Sequence, residues 1–429
     1  MSVPARLLSG LPPAVVSLAD QGAVSGFGFV VGIGAARLLG IDAFGRFALV
    51  LIVAGFAQGL HNAVAVAPMM TLAGGRDRLS PAYAASLLVA TVLLCLPGVL
   101  LAAAVLAAAG SAEPGTLLAA AALILAQNLQ LTLRRLLFAR GSGLGALLMD
   151  GVRALVFAAC SGLIWAIGVP VGPDGLIWLL AATALASCLP AAAPLASAAL
   201  RAPGRVRLAG LARRHAPLAR WLLPVVFVTF AQEQAIWIAA GLFLGPEALG
   251  GLRAAQYLAG AVLLLLTATE NVLPVGAARA FARGGVEALD RYLARAAMRL
   301  GVPVVLMLAC VAVPAERCLV LVFGPDYAAY APCLRVLAIS VLVILVRDLA
   351  AHRFRAMHRT DVIFRALLAS LAASLVAALP LLPTLGATGA ALAVTLGHAV
   401  SLAYLARVAR ADAARAGDGA RVTQVGARP

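Results

Sequence analysis

The sequence contains no lysine, so all 33 of its Lys-plus-Arg positions are Arg. Any cationic site must therefore use Arg or His. Charge of either sign is scarce at 12% of 429 residues, where soluble proteins carry about a quarter. Catalytic phrases are missing too: there is no GxxxxGK[ST], HExxH or GxSxG, and no CxxC pair. No connection is long enough for a catalytic domain. These absences argue against an ATP-driven pump and a self-contained hydrolase. The six cysteines, Cys95, Cys160, Cys188, Cys310, Cys318 and Cys333, show no metal-ligand spacing and read as small buried hydrophobes. No cofactor or metal is implied.

What the sequence has in abundance is apolar length. Hydrophobic residues make up 63%, and the mean hydropathy is +1.02. Runs of about 20 apolar residues, enough to cross the hydrocarbon core, recur from end to end. They are continuous and rich in Ala and Leu, which excludes the short alternating strands of a β-barrel. The first run carries Asp20 and Gln21 and lacks a following small-residue cleavage site, so it reads as a retained helix. The fold class is all-α and polytopic, with about twelve spans. They lie near 14–37, 46–70, 83–109, 115–138, 146–169, 176–200, 219–244, 250–276, 300–323, 330–352, 362–382 and 387–408.

The formal net charge of +16 would point to nucleic acid in a soluble protein. Here the Arg residues fall between apolar runs, so topology explains them and no nucleic-acid partner is expected. One set of connections holds Arg76, Arg78, Arg134, Arg135, Arg140, the cluster Arg201 to Arg220, and Arg279 to Arg299. Arg353, Arg355, Arg359 and the tail continue it. The other set holds Asp42, Glu113, Asp174, Glu247, Glu316 and Asp326. This alternation predicts both termini in the cytoplasm. The expected divisions are a six-helix bundle over 1–200, a basic linker over 201–218, a second bundle over 219–409 and a disordered tail over 410–429. Residues 279–297 read either as an amphipathic helix on the inner surface or as a solvated loop.

The chain also repeats a phrase. Leu39-Gly40-Ile41-Asp42-Ala43-Phe44-Gly45 follows span one, and Leu244-Gly245-Pro246-Glu247-Ala248-Leu249-Gly250 follows span seven. Both read LG-x-acid-A-apolar-G. Their equivalent placement predicts two bundles related by a parallel repeat, with a site in a central cavity between them.

A charge at mid-membrane costs about 2.5–3.5 kcal/mol, so charged residues inside spans need a partner, water or a role. Gln232-Glu233-Gln234 sits in span seven, where successive side chains point in different directions and cannot share one face. Glu233 reads as a group that exchanges a proton, binds a cation or pairs with a substrate hydroxyl, or else as an interhelical hydrogen bond. Asp20 precedes Gly22, Gly26, Gly28 and Gly32, whose GxxxG spacings suit close helix packing or a bend. Span four presents Gln127, Gln130 and Arg134 on one face. Span two adds Gln58, His61 and Asn62. Asp150 and Arg153 lie one turn apart in span five, where they pair with each other or Arg153 meets a phosphate. Arg347-Asp348 occupies span ten, with Arg335 toward its other end. The candidate substrate-binding set is Arg153, Arg347, Arg134, Gln127, Asn62 and Gln232; Glu233 and Asp20 are the candidates for ion coupling.

Three phrases carry a family resemblance: Ala36-Arg37-Leu38-Leu39-Gly40-Ile41-Asp42-Ala43-Phe44-Gly45-Arg46-Phe47-Ala48, then Leu321-Val322-Phe323-Gly324-Pro325-Asp326-Tyr327 with Ala331 to Ala338, and Gly386-Ala387-Thr388-Gly389-Ala390-Ala391. In order and spacing the chain resembles the bacterial oligosaccharide-lipid flippases. These are polysaccharide biosynthesis proteins of the multidrug/oligosaccharidyl-lipid/polysaccharide exporter superfamily. The resemblance implies alternating access in a bacterial inner membrane and a polyprenyl-pyrophosphate-linked oligosaccharide as substrate. It implies membrane lipid around the chain, with H+ or Na+ as a coupling ion. It transfers no site residue by motif, though Asp150 and Arg153 lie where relatives often have polar residues. The alternatives are a cation-coupled drug exporter of the same superfamily and a membrane glycan polymerase or ligase.

Overall fold

Proline starts five of the long helices, at Pro13, Pro81, Pro114, Pro173 and Pro246. It fits the first turn because its missing N–H would have no partner there anyway. At Pro81 the start is reinforced by Ser80, whose hydroxyl accepts from the Tyr83 amide at 3.2 Å. The computed structural model describes the backbone of residues 13–73, 80–201, 207–269 and 273–425. Side chains are described for 26–73, 80, 82–191, 207–262 and 273–415. Arg76, Arg78, Arg205 and Arg428, and the side chains of Asp20, Gln21, Arg201 and Arg421, lie outside those residues.

The helices are α1 Pro13–Leu39, α2 Ile41–Ala73, α3 Pro81–Ala108, α4 Pro114–Ala139, α5 Gly143–Ile167 and α6 Pro173–Arg201. They continue as α7 Leu208–Phe243, α8 Pro246–Thr269, α9 Leu273–Ala312, α10 Ala315–Phe323, α11 Ala331–Ala356 and α12 Thr360–Val425. Among the described residues there is no strand. Nine segments of the described residues are long and apolar enough to cross a membrane. One of them, Thr360–Arg415, is broken at Gly386 (φ 55°, ψ −131°) and supplies two crossings. With the 27-residue α1 and the 24-residue α8, the described residues supply twelve long helical segments, the number expected from the sequence. Gly26 and Gly28 have open space on their Cβ sides, so neither marks a close helix approach.

Three boundaries depart from expectation. Span nine is not 300–323: α9 ends at Ala312, and α10 restarts after Pro314 as a short amphipathic helix burying Ala315, Leu319 and Phe323. Pro314 and the adjoining Glu316-Arg317 mark this break within an otherwise apolar run. Residues 279–297 are neither a separate surface helix nor a loop. They belong to α9, which bends at Gly284–Gly285 and continues into the crossing arm. The tail after Arg410 stays helical to Val425, and Arg359 pairs with Asp412 there.

The chain forms two compact units, Met1–Phe230 with Gly241–Gly250, and Ala231–Ala240 with Gly251–Pro429. The division falls inside α7, so the described part of the expected linker, 207–218, does not separate the two units. From Leu208 onward it is helix, and Leu211 joins a buried cluster with Met69, Leu87, Leu133, Leu136, Met149 and Cys188. A π-helical turn at Asn62–Val66 interrupts α2. Its Val64 carbonyl accepts from His215 Nδ1 at 2.9 Å. His215 Nε2 then takes the Tyr83 hydroxyl at 2.8 Å. Donating to a carbonyl fixes the tautomer, and the buried imidazole docks the start of α7 on α2 and α3.

Both copies of the repeated phrase lie in the first unit, and they pack reciprocally. A Cβ on Gly45 would collide with the Pro246 carbonyl, and a Cβ on Gly250 with the Ile41 carbonyl. In each phrase the last Gly meets the third residue of the other copy. This exchange is what a duplicated element packed about a local two-fold produces, and it supports the repeat.

In the second unit, Phe354 of α11 is buried against Val362, Ala366 and Leu405 of α12. Tyr327, 1% exposed, packs on Phe323 with ring centroids 5.4 Å apart.

Candidate functional site

Each unit holds its own polar cluster. In the first, α4 and α5 bring Gln130, Arg134, Asp150 and Arg153 together. Arg134 and Asp150 are 12% and 9% exposed, and their Nε and Oδ2 atoms lie 2.7 Å apart as an ion pair without hydrogen-bond linearity. Gln130 bridges the helices, accepting from Arg153 Nη1 at 2.7 Å and donating to Asp150 Oδ1 at 3.3 Å. The Arg153 guanidinium also stacks over Phe27 of α1 at 4.9 Å. Gln130 thus links Asp150 to Arg153, and Arg134 is the ion-pair partner of Asp150 at 2.7 Å. The nearer carboxylate partner is across the helix interface, because α4 presents Gln130 and Arg134 one turn apart. The cluster carries two cations and one anion.

The remaining first-unit candidates are not drawn into this cluster. Gln127 is half-buried on α4, and Asn62 is exposed at the start of the π turn. The Asp20 side chain is outside the described residues. His61, 1% exposed, instead closes a triangle with Thr91 at 3.1 Å and Thr132 at 3.3 Å, the two threonines being 3.1 Å apart. It ties α2 to α3 and α4, a structural hydrogen-bonding role.

In the second unit the polar groups border an open space of about 250 Å³. Gln232, Glu233 and Gln234 all line it, although they point in different directions. The space wraps around α7 instead of lying against one face. Gln232, 5% exposed, reaches α12 and donates toward Ser370 Oγ at 3.4 Å and His398 Nδ1 at 3.3 Å. Gln234 turns to α8, where it accepts from Arg253 Nη2 at 2.5 Å. Glu233 opens to the cavity, which Arg347 also lines. Arg347 gives Nε and Nη2 to Asp348 Oδ1 at 3.0 and 2.7 Å, which leaves Nη1 for His398 Nδ1 at 2.8 Å. Two donors converge on that Nδ1, so it supplies its lone pair and the proton sits on Nε2.

Sequence reasoning missed Arg253, Gln256 and His398. Arg253 lies behind the cavity wall and donates to Gln234 and to Gln256 Oε1 at 2.6 Å, with its guanidinium 5.1 Å over the Trp237 ring. The signal was present: an Arg well inside an apolar helix beginning at Pro246. The cavity can bind polar ligands through amides, one carboxylate, one imidazole and one guanidinium. Among the described residues no His, Cys, Asp and Glu converge to hold a metal.

No family model and no curated protein matches the sequence. Solved structures do. A multidrug resistance MATE family transporter of the MOP superfamily, in an inward-facing conformation, is 16% identical, covers 94% of this chain and 99% of its own, and has a TM-score of 0.65. The lipid II flippase MurJ, inward closed, is 12% identical over 91% of this chain and 87% of its own, with a TM-score of 0.66. A eukaryotic MATE transporter is 16% identical over 92% and 93%, with a TM-score of 0.61. Nearly full coverage of transporters and a flippase, at identities that carry only shape, gives this chain the fold of the MOP superfamily transporters.

Proposed function

We propose that the protein is a transporter that moves a polyprenyl-pyrophosphate-linked oligosaccharide from the inner to the outer leaflet, by alternating access, for surface polysaccharide synthesis. The observation that carries this reading is the lining of the second-unit cavity. Gln232, Gln234, Gln256 and Ser340 offer donors and acceptors suited to sugar hydroxyls, and Arg347 offers a cation suited to a phosphate. A polar headgroup cannot cross hydrocarbon without such replacement partners, since unsatisfied polar groups cost several kcal/mol each. Arg153 and Arg134 would add a cationic excess in the first unit. Glu233 is the proposed coupling group for H+ or Na+, with Asp20 as a second. The membrane would be the bacterial inner membrane, with both termini cytoplasmic.

One feature favours a cation-coupled drug exporter instead: Glu233 is a carboxylate at the cavity wall. The test is deletion in the native host, with surface glycan and drug sensitivity both measured. Loss of glycan, restored by the wild-type gene but not by Arg347→Ala at equal protein level, is expected. Removing one charge-assisted contact corresponds to about 1.5–3 kcal/mol, or roughly 10- to 100-fold in binding. Intact glycan with new drug sensitivity would refute the glycan reading in favour of export.

A further inference from the structure

The bend in α9 creates a feature the transport reading does not use. Gly284 (φ −155°, ψ 29°) and Gly285 (φ 60°, ψ −153°) break the helix, and the arms on either side fold against each other. Contact between the arms is tight: a Cβ on Gly276 of the first arm would strike the Tyr292 ring of the second. Between them lies a groove of about 870 Å³, into which the first arm contributes Arg279 and Arg283 and the second Arg291 and Arg295. No acidic side chain lines it. Asp290, on the second arm, is committed to Arg353 at 2.7 Å. Arg295 donates only to the Arg291 carbonyl on its own helix, at 3.2 Å, and none of the four guanidinium groups pairs with a carboxylate among the described residues.

Topology explains why positive charge accumulates on one side of a membrane. It does not explain why four guanidinium groups converge on one groove, where like charges repel. A bound anion does. Its source follows from what comes next along α9. Met298 is 65% exposed, Val302 62% and Leu306 61%, so the lipid-facing surface begins within two turns of Arg295. At 1.5 Å per residue that is roughly 5–10 Å, the depth of a headgroup layer. We propose that the elbow of α9 binds the phosphate headgroup of an anionic phospholipid, clasped by Arg279 and Arg283 from one arm and Arg291 and Arg295 from the other. Planar guanidinium forks match phosphate oxygens two at a time, and the bend sets the spacing between the pairs.

The experiment titrates phosphatidylglycerol onto the full-length protein in phosphatidylcholine nanodiscs and measures retained lipid by native mass spectrometry. Inorganic phosphate and pyrophosphate are run as competitors. Wild-type protein is expected to retain phosphatidylglycerol over phosphatidylcholine. Arg283→Gln should weaken that preference about 5-fold, and Arg279→Gln with Arg291→Gln about 25-fold, from about 5-fold per basic residue near the surface. Arg365→Gln, which removes an exposed Arg adjoining Asp361 outside the groove, should change nothing. The single variant keeps the test decisive if the double variant fails to fold. Equal retention by wild type and Arg283→Gln would overturn the proposal. So would displacement of the lipid by inorganic phosphate at equal affinity, which would assign the groove to a soluble anion.

Discussion

Asp150 forms an ion pair with Arg134, and its removal gives the clearest energetic test of the first-unit cluster. Asp150→Asn keeps the shape and deletes the charge. Arg134 and Asp150 are 12% and 9% exposed, so solvent screens the pair little. Breaking a buried pair from one side costs about 3–5 kcal/mol, because the other charge stays buried. Placing a bare charge at mid-helix in a membrane costs about 2.5–3.5 kcal/mol. The two ranges overlap near 3 kcal/mol, which is the loss expected for Asp150→Asn in detergent-to-denaturant unfolding followed by helical signal. The exposed pair Arg46–Asp42, at 50% and 48%, sets the contrast: Asp42→Asn should cost about 0.2–1 kcal/mol. The second arm is Arg134→Met alone and combined with Asp150→Asn. Removing both charges removes the burial penalty along with the attraction, so the double variant should be more stable than the sum of the singles by about 2 kcal/mol or more. Strict additivity, or a cost for Asp150→Asn no larger than for Asp42→Asn, would refute the pairing.

Two further outcomes follow from backbone geometry. Gly45→Val and Gly250→Val each drive a side chain into a carbonyl of the opposite hairpin, where no rotamer change relieves the overlap, so each should cost about 1–3 kcal/mol in the same unfolding assay. Gly55→Ala, whose Cβ meets nothing within 4 Å, should be neutral or stabilising by up to about 1 kcal/mol. Gly285→Ala forces a side chain into a region that only glycine occupies comfortably. It should cost about 1–3 kcal/mol and raise hydrogen exchange of the amides flanking the bend, with unchanged exchange counting against a strained elbow.

The helical fold was legible because apolar length is the strongest signal a membrane protein carries, and the twelve long helical segments follow from it. Boundaries failed where composition masked periodicity. Residues 201–218 look like a basic linker, yet Leu211, His215 and Ala219 recur every four residues and are the buried ones. That spacing is a helix face, and it predicts packing that Arg content alone hides. The repeated phrase was visible, but its reciprocal contact was not, since a turn glycine and a packing glycine look alike in sequence. For the polar residues, reading along one helix misled. Asp150 and Arg153 sit one turn apart and invite pairing, whereas side chains from α4 approach them from across the interface. Arg253 went unnoticed although it lies well inside α8. Its burial depends on Gln234 and Trp237 of another helix, which no local window contains.

The two polar clusters differ in what a ligand would have to displace, and this ranks the candidate residues. In the first unit, Gln130 makes one hydrogen bond to each of Asp150 and Arg153, and Arg134 pairs with Asp150. A ligand entering there must break interactions already made, so Arg134 and Arg153 gain affinity only by the surplus over their present partners. In the second unit, Glu233 opens to a cavity of about 250 Å³, and Gln256 and Ser340 border the same space. Groups facing such a space exchange water for ligand at small net cost. Arg347 occupies an intermediate position, holding Asp348 with two nitrogens while its third touches a neutral imidazole that a phosphate oxygen would outcompete. Substitutions at Glu233 and Arg347 should therefore act mainly on ligand binding, with folding little changed. Substitutions at Arg134 and Asp150 should act first on stability. If that order were reversed in paired measurements of binding and unfolding, the cavity of the second unit would lose its place as the leading site.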